Sequence, residues 1–125
     1  MEIRGSFEDG MPYIPLRVEG KEFNALVDTG YDGFVMLSRT EIVKLGLSKL
    51  GKTVYHTADG QFHEGIVYKG KIEWFGIIKY IAIDSTDGEF ILVGMKLLYP
   101  LRLVMEPSKQ FLVVSDKDKK KPPTI

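Results

Sequence analysis

Closely spaced glycines are the feature that most constrains the fold of this chain. They divide the sequence into segments that are mostly too short for typical helices, and they recur at positions 10, 20, 30, 33, 46, 51, 60, 65, 70, 76, 88 and 94. Between them lie stretches rich in β-branched and aromatic residues, which favour strands over residues 12–18, 22–27, 34–37, 65–74, 77–83, 90–93, 101–105 and 111–114. Many short strands separated by turns predict an all-β barrel or sandwich.

Two segments interrupt the β pattern and predict short helices. Ser38 precedes Glu41 by three residues, which is the capping-box arrangement, and Gly46 supplies a stop about two turns later. A second helical turn is predicted over residues 95–98, directly after Gly94. The strand-like segments that precede the two helices resemble each other, which indicates a faint internal repeat.

Charge and cysteine content exclude several classes of protein. The 125 residues include 17 basic and 17 acidic side chains, so net charge does not indicate a nucleic-acid or anionic-membrane partner. The chain has no cysteine, which excludes a disulfide framework, a thiolate zinc site, an iron–sulfur cluster and a cysteine nucleophile. No apolar run approaches the roughly 18–20 residues of a membrane span, and the first residues show no signal-peptide pattern. We therefore expect a cytoplasmic protein with no membrane partner.

One change in composition, near the C-terminus, divides the chain. Residues 116–123 carry no apolar side chain apart from two prolines. Such a segment cannot bury enough surface to offset the entropy of ordering it. We expect one folded domain over residues 1–115, long enough to bury its own core, and a disordered basic tail over residues 116–125.

The stretch with the clearest chemical content follows an apolar strand. Asp28, Thr29 and Gly30 come directly after Ala-Leu-Val. Thr29 offers a hydroxyl that can fix a loop, and Gly30 allows a sharp turn and a close approach to a ligand. Asp-Thr-Gly is also ordinary chemistry for a turn at the end of a strand, so the tripeptide alone predicts only a turn.

Asp-Thr-Gly after Ala-Leu-Val, followed some 60 residues later by Ile-Leu-Val-Gly at residues 91–94, resembles the retropepsin-like aspartic proteases, in particular their prokaryotic single-domain branch. The resemblance spans roughly residues 11–115 and implies a closed, all-β barrel with one or two short helices and an imperfect two-fold repeat. It implies that Asp28 is catalytic, that Val93 and Gly94 support the loop, and that the active-site loop contains Thr29, Gly30, Tyr31 and Asp32.

Two positions depart from the retroviral pattern. Tyr31 stands where retroviral members usually have a small residue, and an aromatic residue there is closer to the prokaryotic branch. Met95 stands where retroviral members commonly carry an arginine that braces the active-site loop. Neither departure removes the reacting carboxylate.

Aspartic protease chemistry requires a second carboxylate. One acid draws a proton from water while a neutral partner donates to the scissile carbonyl, and two carboxyls about 3 Å apart share a proton. The chain has a single Asp-Thr-Gly, and Asp84 follows an apolar strand but has no glycine to complete the corresponding turn. We therefore expect a symmetric homodimer that supplies Asp28 twice, and the apolar strand over residues 111–114 is a candidate for pairing between subunits.

A protease of this class also needs a cover for its cleft. The resemblance places this flap between the catalytic loop and the second hydrophobic-Gly segment, where Asp-Gly predicts a hairpin turn. The tip of the flap would be formed by Ala58, Asp59, Gly60 and Gln61. Without Asp28 to cover, the same residues would predict an ordinary exposed hairpin.

Two histidines flank this hairpin. A two-residue turn at 59–60 would place His56 opposite His63 on one face of the hairpin. Glu64 would then point to the other face, and two ligands make a poor metal site. We expect no metal and no cofactor.

The sequence thus favours an aspartic endopeptidase that acts on a peptide or protein substrate. One alternative is a catalytically silent, peptide-binding dimer of the same fold. A second is a small nucleic-acid-binding β-barrel that uses aromatic residues 74, 75, 80 and 90 as stacking platforms. Few arginines accompany these aromatic residues, so we expect them to pack in the core or at an interface, with no nucleic-acid partner.

Overall fold

The computed structural model describes residues 1–56 and 58–117, so most of the predicted C-terminal tail lies outside the described residues. Its elements are two α-helices, α1 (Arg39–Leu45) and α2 (Met95–Leu98), a 3₁₀ turn over Pro107–Lys109, and the strands β1 (Glu2–Arg4), β2 (Ser6–Glu8), β3 (Met11–Val18), β4 (Lys21–Val27), β5 (Val35–Ser38), β6 (Ser48–His56), β7 (Phe62–Trp74), β8 (Ile77–Thr86), β9 (Leu92–Val93), β10 (Arg102–Glu106) and β11 (Phe111–Ser115). The prediction of a mostly β fold with two short helices is confirmed.

Two sheets hold the strands. The larger has the order β2-β3-β4-β9-β5-β8-β7-β6. Its ends are joined because β3 also pairs with β7, with Arg17 opposite Glu73 and Val18 opposite Ile72. Strands β3, β4, β9, β5, β8 and β7 therefore form a ring of pairings. The smaller sheet has the order β1-β11-β10.

The core lies inside this ring, because alternate residues of each strand point inward. In β3, Ile14, Leu16 and Val18 are buried while the residues between them are exposed. Trp74 is only 5 % exposed and packs in the core, whereas Tyr80 is 63 % exposed. These aromatic residues were predicted to pack in the core or at an interface; Trp74 confirms the first possibility, and for the exposed Tyr80 the second stays a prediction.

Both helix predictions are confirmed in their particulars. The Ser38 hydroxyl accepts a hydrogen bond from the Glu41 backbone N–H at 3.3 Å, which caps α1 at its start. Gly46 ends the helix with φ of 66°, the left-handed conformation that glycine adopts without strain. Each helix follows a strand directly, β5 before α1 and β9 before α2, as the internal repeat predicts.

Within the described residues, no helix combines the length and the apolar character that crossing a membrane requires.

One prediction about assembly is wrong. Strand β11 was expected to pair between subunits, but it is the central strand of the smaller sheet. It pairs antiparallel with β1 on one side and with β10 on the other, so its backbone groups are already used within the chain. The edges of this sheet are β1 and β10. The end of β11 is held further by Asp116, whose carboxylate lies 2.8 Å from the N-terminal ammonium group of Met1.

Candidate active site

The short strand β9 organises the candidate site. Its residue Val93 pairs with Val27 of β4 in parallel and with Val35 of β5 in the antiparallel direction. Because β9 lies between these two strands, it brings the segment after β4 next to the segment before α2. These are the two segments that carry the Asp-Thr-Gly and hydrophobic-Gly motifs.

Asp28 lies at the end of β4 and begins the Asp28 loop, which we define as residues 28–33. The backbone N–H of Asp28 donates to the Val93 carbonyl at 3.0 Å. Its carboxylate oxygen Oδ1 accepts from the Gly30 N–H at 2.9 Å, and its carbonyl accepts from the Tyr31 N–H at 3.2 Å. The Asp28 side chain is half-buried and Thr29 is exposed. The loop thus fixes the backbone and one carboxylate oxygen of Asp28.

Gly94 and the first two residues of α2 hold the far side of the Asp28 loop, and Phe34 directly after it, through three backbone hydrogen bonds. The Gly94 N–H donates to the Phe34 carbonyl at 3.0 Å, the Met95 N–H to the Tyr31 carbonyl at 2.8 Å, and the Lys96 N–H to the Gly33 carbonyl at 3.1 Å. The structure therefore brings Val93 against Asp28 and Gly94 against Tyr31, two of the residues predicted to form the active-site loop with Thr29, Gly30 and Asp32. The chemical roles of these residues stay predictions.

The Tyr31 side chain makes a contact that sequence reasoning missed. Its hydroxyl donates a hydrogen bond to Oδ2 of Asp84 on β8. Burial, this hydrogen bond and the charges of Asp84 and Asp32 raise the pKa of Tyr31 above its ordinary value, so the phenol stays neutral and keeps its proton to donate. The sequence indicates Asp84 only as a possible second acid. Residues 31 and 84 lie 53 positions apart, and no local pattern links them.

Two glycines make room for the Tyr31 ring. A Cβ added at Gly33 would lie 2.5 Å from Cζ of Tyr31 and 2.8 Å from Oδ2 of Asp84. A Cβ added at Gly94 would lie 2.5 Å from Cδ2 of Tyr31. Real side chains do not approach this closely, so the ring occupies its position because both neighbours are glycine.

A cavity of about 710 Å³ opens beside the loop, a size usual for ligand sites. The Asp28 loop forms one wall and the arms of the β6–β7 hairpin form the other. Its lining residues are Gly30, Tyr31, Asp32, Gly33, Met36, Thr53, Val54, His56, Gly65, Ile66, Asp84, Ser85 and Lys96.

The residues predicted as the flap tip form the turn of the β6–β7 hairpin. Ala58, Asp59, Gly60 and Gln61 are all exposed. The Gln61 N–H donates to the Asp59 carboxylate at 3.1 Å, a local side-chain bond typical of aspartate in turns.

The predicted register of this hairpin is wrong. His56 pairs with Phe62, and His63 pairs with Tyr55. Five residues, 57 to 61, separate His56 from Phe62, so the register shifts by one and the two histidines fall on opposite faces. The His56 ring contacts Phe62 instead, with centroids 4.1 Å apart. Among the described residues, no group of three or more His, Asp or Glu side chains is arranged to hold a metal ion.

The comparison with protein-family models gives one family: residues 14–90, more than half of the chain, match the model described as aspartyl protease. No curated protein sequence matches the chain.

Solved structures similar to this chain are proteases of related type. A retropepsin-like aspartic protease from Rickettsia conorii is 25 % identical, with a TM-score of 0.68 over 91 % of this chain and 89 % of that chain. The EIAV protease in complex with the inhibitor HBY-793 is 20 % identical, with a TM-score of 0.61 over 71 % of this chain and 86 % of that one. The simian foamy virus (mac) protease is 13 % identical, with a TM-score of 0.54 over 70 % and 91 % respectively.

The two viral likenesses support the fold alone, whereas the family match covers the Asp-Thr-Gly motif itself. The chain therefore belongs to the aspartyl protease family, a family of aspartic-type endopeptidases, and has the retropepsin-like fold.

Proposed function

We propose that the protein is an aspartic endopeptidase in which Asp28 from each of two subunits forms a catalytic dyad. The observation that carries the proposal is the Asp-Thr-Gly loop, held against β9 within an aspartyl protease fold. Thr29 and Gly30 shape this loop, and the Gly30 N–H keeps one carboxylate oxygen of Asp28 oriented.

The proposed dyad works through one shared proton. The ionised Asp28 draws a proton from water, and the water oxygen attacks the carbonyl carbon of the scissile peptide bond. The protonated Asp28 of the other subunit donates to the carbonyl oxygen, which gives a tetrahedral diol. The first Asp28 then returns its proton to the amide nitrogen and the C–N bond breaks, while the second Asp28 recovers a proton from a diol hydroxyl. Carboxyl and amine products leave, and the shared proton is restored. Two carboxyls at about 3 Å resist double ionisation, which keeps one of them in the acid form.

In the proposed homodimer, the two subunits would pair through the edge strand β10. This strand is at the edge of the smaller sheet and reads Arg-Leu-Val-Met-Glu. Two copies paired antiparallel about Val104 would place Arg102 of each opposite Glu106 of the other. Opposite charges directly across a strand pair stabilise it, and the pairing would use backbone groups that an isolated edge leaves to water.

The substrate would be a peptide or protein bound in extended form. The cavity beside the Asp28 loop is large enough for several side chains, and the arms of the flap hairpin, including Val54 and His56, form its second wall. The flap tip, residues 58–61, would close over a bound peptide and exclude water. We propose that the protein acts in the cytoplasm.

The function is tested by incubating the protein and its Asp28→Asn variant with a peptide library and identifying the products by mass spectrometry. The parent should cleave, and the variant should lose activity by at least about a thousandfold because no carboxylate remains to activate water. Asp9→Asn is the matched control, because Asp9 is exposed in the β2–β3 turn with φ of 50°, which asparagine tolerates. A parent that binds peptides without cleaving them would favour the silent peptide-binding dimer.

Assembly is tested separately by sedimentation. Arg102→Glu should weaken the dimer because like charges would then face each other across the proposed β10 pair, and Arg102→Glu combined with Glu106→Arg should restore it. Asp28→Asn removes repulsion between two facing acids, so its dimer should be at least as tight as the parent at neutral pH. A parent that stays monomeric at high micromolar concentration would contradict the dimer and the dyad together.

A further inference from the structure

We propose that Tyr31 and Asp84 are positioning residues, whose hydrogen bond anchors the Asp28 loop to strand β8 and so holds the Asp28 carboxylate in place for catalysis. This inference rests on the proposed function of Asp28. We refer to the two residues as the Tyr31–Asp84 pair.

The backbone of Tyr31 connects this pair to Asp28. The Tyr31 N–H donates to the Asp28 carbonyl at 3.2 Å, which closes the turn that contains Thr29 and Gly30. The Tyr31 carbonyl accepts from the Met95 N–H at 2.8 Å. A displacement of Tyr31 would therefore move the backbone on which the Asp28 side chain is carried.

The other end of the pair is fixed within the sheet. Asp84 pairs with Met36 of β5 on one side and with Val67 of β7 on the other. Its neighbour Ser85 donates its hydroxyl to the Ile66 carbonyl at 2.9 Å. Because β8 is paired on both sides here, Asp84 is a firmer support for the loop than an exposed side chain would be.

The phenol is the part of Tyr31 that makes this anchor. Met95, which also contacts the loop through its backbone, carries a side chain that cannot donate a strong hydrogen bond. The Tyr31 hydroxyl donates to a carboxylate, the stronger class of hydrogen bond. Phenylalanine would fill the space between Gly33 and Gly94 equally well but would leave the loop without this tie to β8.

The pair also lies in the wall of the cavity, where direct contact with the substrate would be a competing explanation. Tyr31 and Asp84 both line the cavity, so their replacement could alter substrate binding without affecting the position of Asp28. The two possibilities differ in the kinetic constant that they change. Loss of positioning lowers kcat, whereas loss of uniform substrate contacts raises KM and leaves kcat in place.

The experiment compares Tyr31→Phe, Asp84→Leu and their double variant with the parent dimer. We expect kcat to fall by about tenfold to a hundredfold in each single variant, with a smaller change in KM, because misplacement of a reacting group has effects of this size. The double variant should lose little more than either single variant, since both remove the same bond. Asp84→Asn keeps an oxygen acceptor and should retain at least about three times the kcat of Asp84→Leu.

Tyr80→Phe is the matched control. Tyr80 lies on β8 and is exposed, with the Lys69 ammonium 4.9 Å from its ring centroid. Tyr80→Phe therefore removes a tyrosine hydroxyl that lies outside the candidate site. Its kcat and KM should equal those of the parent. A kcat of Tyr31→Phe within twofold of the parent, or fully multiplicative losses in the double variant, would overturn the proposal.

Hydrogen exchange tests the anchor without using activity. Tyr31→Phe should speed exchange of the Asp28, Gly30 and Tyr31 amides by about tenfold or more, while the Leu26 amide, bonded to the Ile91 carbonyl at 2.9 Å, should change little. A uniform increase over the whole chain would mean that the pair only stabilises the fold, and no increase at the loop would exclude the anchor. If the parent cleaves nothing but the loop still loosens, the proposed function fails and the anchor stands without a catalytic role.

Discussion

The Asp28 loop and the β6–β7 hairpin face each other across one cavity, but they are held in different ways. The loop is bonded to β9, to the start of α2 and to β8, all distant in sequence. The hairpin is held chiefly by pairing of β6 with β7, and β6 is the last strand of the larger sheet. Elements with few distant contacts open at low free energy. We therefore expect one wall of the cavity to be held more firmly than the other.

The glycines of the two regions show the same contrast. Gly94 lies against backbone and ring atoms of Tyr31, so the absence of a side chain permits close packing. Gly60 at the flap tip has open space around it but adopts φ of 82°, so the absence of a side chain permits a turn. Glycine therefore allows close packing against Tyr31 in the Asp28 loop, and it allows the left-handed backbone conformation in the turn of the β6–β7 hairpin.

The largest effect should come from filling the packed position. Gly94→Ala would bring its Cβ to 2.7 Å from the Tyr31 carbonyl oxygen, a backbone atom that cannot move without disturbing the loop. We expect the free energy of unfolding to fall by about 3 kcal/mol, in the upper range for overpacking, with loss of activity. Urea unfolding followed by circular dichroism measures this change.

Gly60→Ala is the control for that variant. Its Cβ meets no neighbour, so only the left-handed backbone opposes it and the expected loss is about 1 kcal/mol. Equal losses for Gly94→Ala and Gly60→Ala would show that the loop adapts as readily as the flap, which the close contacts of Gly94 contradict.

A smaller effect should appear in the unmodified protein, as a difference in amide hydrogen exchange rates between the two regions. Flap amides at residues 58–61 should exchange at least about a hundredfold faster than the amides of Leu26 and Val27, because the hairpin can open without breaking the ring of strands. Hydrogen exchange read by NMR, on the protein without substrate, measures both regions at once. Exchange at the flap as slow as at Leu26 would remove the basis for a movable cover.

Local sequence signals predicted much of the fold. The Ser38 cap and the Gly46 stop act within a few residues, and each is found where it was predicted. The stretches rich in β-branched and aromatic residues between glycines likewise predicted strands such as β3. The strands β1 and β2, of three residues each, carry too few residues for a periodic pattern and were not predicted.

What the sequence did not predict depends on contacts between distant residues. The register of the β6–β7 hairpin follows from the length of its connection, and an Asp-Gly pair is compatible with more than one length. The central position of β11 follows from pairing with β1, more than a hundred residues earlier. Asp84 belongs to the site only because β8 lies beside β5, which carries it to Tyr31.

The smallest expected effect concerns the protonation of Tyr31 on the fixed side of the cavity. Burial, the bond to Asp84 and the neighbouring acids raise the pKa of Tyr31 in the folded state, whereas an unfolded tyrosine loses its proton near pH 10. Above about pH 10 the unfolded state therefore binds fewer protons than the folded state, and the free energy of unfolding falls as pH rises. Below that pH the contribution of Tyr31 is fully present.

Tyr31→Phe has no phenol to titrate, so its stability should fall less steeply than that of the parent between about pH 9 and pH 11. The difference in slope should not exceed about 1.4 kcal/mol per pH unit, because Tyr31 contributes at most one proton to the difference between the folded and unfolded states. Urea unfolding at several pH values gives both slopes, and Tyr80→Phe, which removes an exposed phenol from β8, controls for the loss of any tyrosine. If Tyr31→Phe and the parent lose stability in parallel, the phenol is not held protonated by Asp84, and the contrast between a fixed loop and a movable flap rests on backbone bonds alone.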